Sequence, residues 1–98
     1  MQIDETRQGA VTIVRPTGPL VLGDADQFRN EAMGAVARSL GRLVFDASAV
    51  PYLDSGGIEA IADLADELAQ GGQALRVCAA HDTVREVLDL TEASANLE

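Results

Sequence analysis

Leu53-Asp54-Ser55-Gly56-Gly57-Ile58 (LDSGGI) is the stretch on which the reading of this chain turns. One serine stands between an aspartate and two glycines, immediately before an apolar segment of helical period. Ile58, Ile61, Ala65 and Leu68 recur at helical spacing, joined by Ala62, Leu64 and Ala69, while Glu59, Asp63, Asp66 and Glu67 fill most of the other side. Asp54 or Ser55 is placed to cap this helix, a contribution of about 1 kcal/mol. Gly71-Gly72 supplies its stop, because glycine accepts the left-handed conformation that follows a helix end.

The elements on either side follow from the same patterning. Upstream, Leu43-Val44-Phe45-Asp46 is a short apolar run ending in an acid, which suits a buried central strand. Before it, Ala25, Phe28, Ala32, Val36 and Leu40 share one helical face, with Asp24 as the expected cap and Gly41 as the expected stop. Val11–Val14 is β-branched and reads as a strand, with Ile3–Thr6 pairing to it through a turn at Gln8-Gly9. Downstream, Leu75–Ala80 reads as another buried strand containing a buried Cys78, and a last helix begins at a capping Asp82. The tail after Thr91 has no clear assignment. The order β-β-α-β-α-β-α predicts one α/β domain over residues 1–98. Its sheet is expected to be mostly parallel, of four strands or five, with three helices mainly on one face.

Composition narrows the function classes. The chain has 98 residues, 47% hydrophobic and 23% charged, as in an ordinary globular domain. The net charge is −9, from 7 basic and 16 acidic residues, and every basic residue is arginine. No basic patch is visible, which argues against nucleic acid and against an anionic membrane surface as partners. No apolar run is long enough to insert into a membrane, and no secretory leader is apparent, so a cytoplasmic location is expected.

Catalysis finds little support in the motifs. A nucleophile elbow needs G-x-S-x-G, and position 53 is leucine. The one histidine, His81, lies beyond the next strand and reads as a solvated residue near a helix start. One histidine and one cysteine do not make a structural zinc site. The missing lysine excludes a Walker loop. It also weakens a similarity between LVFDASAV and the phospho-accepting strand of response-regulator receivers. No enzyme activity, metal or cofactor is therefore expected. What remains for Ser55 is a cap, or a hydroxyl that carries a phosphate. A phosphate there would meet open amides at the positive end of a helix dipole, at the cost of repulsion from Asp54.

The run LVFDASAVPYLDSGGIEAIADL resembles the signature of STAS domains, the fold of anti-sigma factor antagonists. That signature is an apolar strand ending in Asp, a loop, then D-S-S-G-L or a close variant opening a helix. Asp46 matches the strand-end acid, Asp54 and Ser55 the D-S pair, and Gly57 the glycine. Pro16-Thr17-Gly18-Pro19-Leu20 is similar to the family's T-G-E-L turn, and residues 71–91 to its strand-then-helix ending. The resemblance implies a non-enzymatic regulatory protein-binding module involved in signalling and transcription regulation. Its implied partners are an anti-sigma factor or related serine kinase, which phosphorylates Ser55, and a phosphatase. The implied partner-binding and switch loop comprises Asp46, Asp54, Ser55, Gly56, Gly57 and Ile58, with Asp24 nearby. Gly56 in place of the second serine also resembles the STAS subunits of phospholipid-trafficking ABC transporters. That alternative implies an ATPase subunit as partner.

Overall fold

The computed structural model describes residues 1–40 and 42–89. The tail after Thr91 and the expected stop at Gly41 lie outside the described residues. The elements in chain order are β1 (Gln2–Gln8), β2 (Val11–Thr17), α1 (Leu22–Ser39), β3 (Leu43–Asp46), α2 (Ser55–Gln70), β4 (Arg76–Cys78) and α3 (Asp82–Asp89). The strands form a four-stranded sheet in the order β1-β2-β3-β4.

The sheet is mixed, which corrects the expectation of a mostly parallel one. β2, β3 and β4 run parallel because α1 and α2 carry the chain back across the sheet between them. β1 is joined to β2 by only Gly9 and Ala10, so it can pair only antiparallel, and it does so along seven residue pairs. Gly9 has φ 61, the glycine-favouring conformation at the first position of a two-residue hairpin. No fifth strand occurs among the described residues.

Alternation along the strands divides the sheet into two faces. Thr12, Val14 and Pro16 of β2 and Leu43 and Phe45 of β3 are buried. Their neighbours Val11, Ile13 and Val44 are half-buried, and Arg15, Arg76 and Cys78 are exposed. The buried face receives the helices: α1 packs on β2 and β3, and α2 packs on α1. Phe28 of α1 and Phe45 of β3 meet with ring centroids 5.0 Å apart, both fully buried. Ile61, Leu64 and Leu68 of α2, Leu75, and Val84 and Leu88 of α3 complete one continuous core. An ion pair between Arg29 and Asp63 at 3.2 Å adds a polar link between α1 and α2.

Four local expectations change. Helix α1 starts two residues before Asp24, with Val21 at its N-cap and no side-chain cap bond. Asp24 instead lies in the first turn, where its charge suits the helix dipole. Leu40 is the left-handed C-cap at φ 56 and is 82% exposed, because the helical face it was expected to share ends one residue earlier. Among the described residues strand β4 lies at the sheet edge; Leu75 just before it is fully buried and Val77 half-buried, so alternation turns Arg76 and Cys78 outward and Cys78 is exposed. Asp82 is the first residue of α3, not its cap; the carbonyl of His81 accepts the Arg85 amide.

The start of α2 is set by a backbone-to-backbone approach. The Leu20 amide donates to the Tyr52 carbonyl at 3.1 Å, and the Asp54 amide donates to the Leu20 carbonyl at 3.1 Å. Gly57 lies against this junction, where a Cβ would collide with the Leu20 carbonyl oxygen and come within 2.9 Å of the Leu53 Cβ. Gly57→Ala is therefore expected to lower stability by about 1–3 kcal/mol through overpacking, read from the urea midpoint. Alanine propensity in a helix interior acts the other way, by up to about 1 kcal/mol. A stabilised variant would remove the steric assignment.

Candidate functional site

Asp54 is the N-cap of α2, in an extended conformation. Its Oδ1 accepts the Gly57 amide at 3.0 Å, and its carbonyl accepts the Ile58 amide at 3.0 Å. The choice between Asp54 and Ser55 as cap is thereby decided in favour of Asp54. Ser55 is the first helical residue and is exposed. Its hydroxyl is not needed for capping. Gly56 and Ile58 are half-buried and Gly57 is buried. Sequence order alone thus places a reachable hydroxyl where helix amides are not yet engaged in the i→i−4 ladder.

The loop that delivers Ser55 is held from both ends. The Gly18 amide donates to the Ala49 carbonyl at 3.0 Å, and Val50 and Ala47 are fully buried. At the loop's origin, Asp46 Oδ1 accepts the Ser48 amide at 2.9 Å. Arg15 Nε donates to Ser48 Oγ at 3.2 Å, and His81 Nε2 donates to the Ser48 carbonyl at 2.8 Å. Ser48 thus joins β2, β3 and the entry to α3. The Ser48 amide does most to lower the Asp46 pKa; burial opposes it as the next largest effect, and the Ser48 hydroxyl and then Arg15 add to the lowering. Burial, and then the Asp46 charge, raise the Cys78 thiol, which keeps it protonated and weakly nucleophilic.

Not every predicted residue meets at one point. Asp54, Ser55, Gly56, Gly57 and Ile58 form the helix start. Asp46 sits at the other end of the same loop, bonded to Ser48. Asp24 pairs with the Met1 ammonium at 3.7 Å. Sequence reading placed Leu20 only in a family-like turn and did not single out Ser48 or Tyr52. Leu20 contributes through its carbonyl, which no side-chain pattern reveals. Tyr52 is 53% exposed two residues before Asp54, an aromatic on the approach to Ser55. Among the described residues no cluster of His, Cys, Asp and Glu could hold a metal ion, and no helix is long and apolar enough to cross a membrane.

The sequence profile of the STAS domain matches residues 2–97. This chain belongs to the STAS-domain family. The domain is similar in structure to TM1081 of Thermotoga maritima, a candidate anti-sigma factor antagonist, with a TM-score of 0.87 and 18% identity over 98% of this chain and 83% of that one. The anti-sigma factor antagonist SpoIIAA in its unphosphorylated form gives a TM-score of 0.71 at 16% identity, covering 92% of this chain and 82% of that chain. The phosphorylated form of SpoIIAA, a Bacillus cell fate determinant, gives 0.69 at 16% identity, covering 99% and 89%. The murine anion transporter Slc26a9 gives 0.71 at 23% identity over 85% of this chain, which spans only 14% of the transporter. At these identities the likeness is one of fold. No curated protein matches the sequence.

Two outcomes follow from the site. Asp54→Ala should cost about 1 kcal/mol by losing the cap. Ser55→Ala should stay within about 0.5 kcal/mol, as exposed substitutions do. Thermal melts of the two variants check both, and a reversed order would return the cap to Ser55. For Asp46, the folded-state pKa lies below the ordinary 3.8, so its charge stabilises the fold above that value. This stabilisation is lost as pH falls through the folded-state pKa. Asp46→Asn should therefore be less stable than the parent at pH 7, and the two should converge well below pH 3.8 in urea titrations.

Proposed function

We propose that this STAS domain is a non-enzymatic regulatory protein-binding module of the anti-sigma factor antagonist type. Phosphorylation of Ser55 by a partner serine kinase switches it, and a phosphatase resets it. The observation that carries the reading is the division of labour at the start of α2. Asp54 caps the helix, and the exposed Ser55 hydroxyl has no structural duty. A phosphate on Ser55 would add a charge of roughly −1.5 to −2 close to helix amides, so the fold can carry it. A partner packed over the helix start would meet a bulky dianion where a small hydroxyl had been. The switch loop comprises Asp54, Ser55, Gly56, Gly57 and Ile58, with Tyr52 as an added exposed contact. Asp46 supports the loop from its far end and Asp24 lies outside it. Likeness to SpoIIAA in both phosphorylation states supports the reading.

A second reading is a cytoplasmic STAS subunit that binds the ATPase of an ABC transporter. Gly56 in place of a second serine favours it, and the occurrence of this fold within an anion transporter is compatible with it.

The test is incubation with ATP and a GHKL-type anti-sigma kinase from the same genome. The expected product carries one added phosphate by mass spectrometry, absent in Ser55→Ala. Ser55→Asp should weaken kinase binding about a hundredfold, equivalent to roughly 3 kcal/mol, with the fold intact. Equal affinity of parent and Ser55→Asp, with no phosphate incorporated, would defeat the switch. Co-purification with a transporter ATPase would then establish the second reading.

A further inference from the structure

A cavity of about 540 Å³ opens at the pole of the sheet where β2, β3 and β4 all begin. This is the end remote from Ser55, since β3 runs from Leu43 at the cavity to Asp46 at the loop that leads to α2. Its apolar lining comes from Val11, Leu43, Val44 and Ala74. Val11 and Val44 are half-buried residues of the sheet face that α1 and α2 leave open. Arg42, Arg76 and Gln73 supply the polar lining, and both arginines are exposed residues. Arg76 stands beside Val44 in the strand register, so a guanidinium stem and an apolar floor share one row.

Charge makes this cavity unlike the rest of the molecule. The chain carries 16 acidic residues against 7 arginines, yet among the described residues the charged groups lining this opening are two arginines. The volume lies within the range of small-molecule sites, which are mostly apolar with a few placed polar groups. A guanidinium recognises carboxylate or phosphate through paired N–H donors. We infer that this cavity binds a small amphipathic anion, an apolar chain ending in a carboxylate or phosphate. The chain lies on Val11, Val44 and Ala74, and the head group meets Arg42 and Arg76. The site is independent of Ser55 and of any partner at the α2 start.

The competing account is that the two arginines serve only the nearby C-terminal ends of α1 and α2, where cations are favoured. Titration of the full chain separates the two, with octanoate and octyl phosphate as probes and amide chemical shifts as the readout. The expected result is saturable shifts centred on Val11, Val44, Gln73 and Ala74, with no change at Ser55. Octylamine and octanol should bind at least about tenfold more weakly than the anions, because a missing or inverted head-group charge loses the arginine contacts. Arg42→Gln combined with Arg76→Gln should weaken the anions by a similar factor. Stronger response to octyl phosphate than to octanoate would assign the head group as phosphate, and the reverse as carboxylate. Absence of saturable shifts in the parent protein would overturn the inference. So would equal binding of octylamine, or undiminished anion binding by a folded double variant.

Discussion

The Leu20 carbonyl accepts the Asp54 amide and occupies the space that a side chain at position 57 would need. This contact fixes where α2 begins relative to the end of β2. It explains why glycine stands at position 57, at a buried helix start where backbone meets backbone. Moving α2 away to admit a side chain would break the Asp54 bond and slide Ile61, Leu64 and Leu68 off the core they fill. The presentation of Ser55 is thus tied to the packing of the domain, although Ser55 itself is exposed.

Within that frame, neighbouring residues divide the work. Asp54 completes the hydrogen bonding of the helix, which leaves Ser55 chemically available. Ser48, two residues beyond the end of β3, accepts from an arginine and a histidine and donates its amide to Asp46. The loop from Asp46 to Asp54 is therefore irregular in conformation but restrained at its origin and at its end. Such a loop can offer a fixed surface to a partner without the ordering entropy that a loose segment would lose on binding.

Much of this was legible from residue patterns. The helix over Ile58–Leu68, its glycine stop and the strand Leu43–Asp46 follow from period and punctuation, and D-S-x-G before the helix marks the candidate site. Features set by tertiary placement were not legible. Leu75–Ala80 has the composition of a buried strand, yet as the outermost strand it exposes Cys78. Leu40 continues the period of α1 but falls where the backbone turns left-handed. Asp24 and Asp82 are good cap residues, but Asp24 lies two residues inside α1 and Asp82 is already the first residue of α3, so neither takes the cap position. The choice between Asp54 and Ser55 depends on one oxygen reaching one amide, a matter of torsion angles and not of residue type.

The hairpin that opens the chain has a bearing on solubility. Among the described residues β1 and β4 form the two borders of the sheet, and a sheet border is where an extended stranger can add a strand. β1 is seven residues long, but it carries Asp4, Glu5 and Arg7, which resist a flat second layer or a matching strand. β4 is guarded by its brevity and by Arg76. Both margins are thereby discouraged from templating fibrils, so a chain with an aliphatic interior and few aromatics can remain dispersed in a crowded solution.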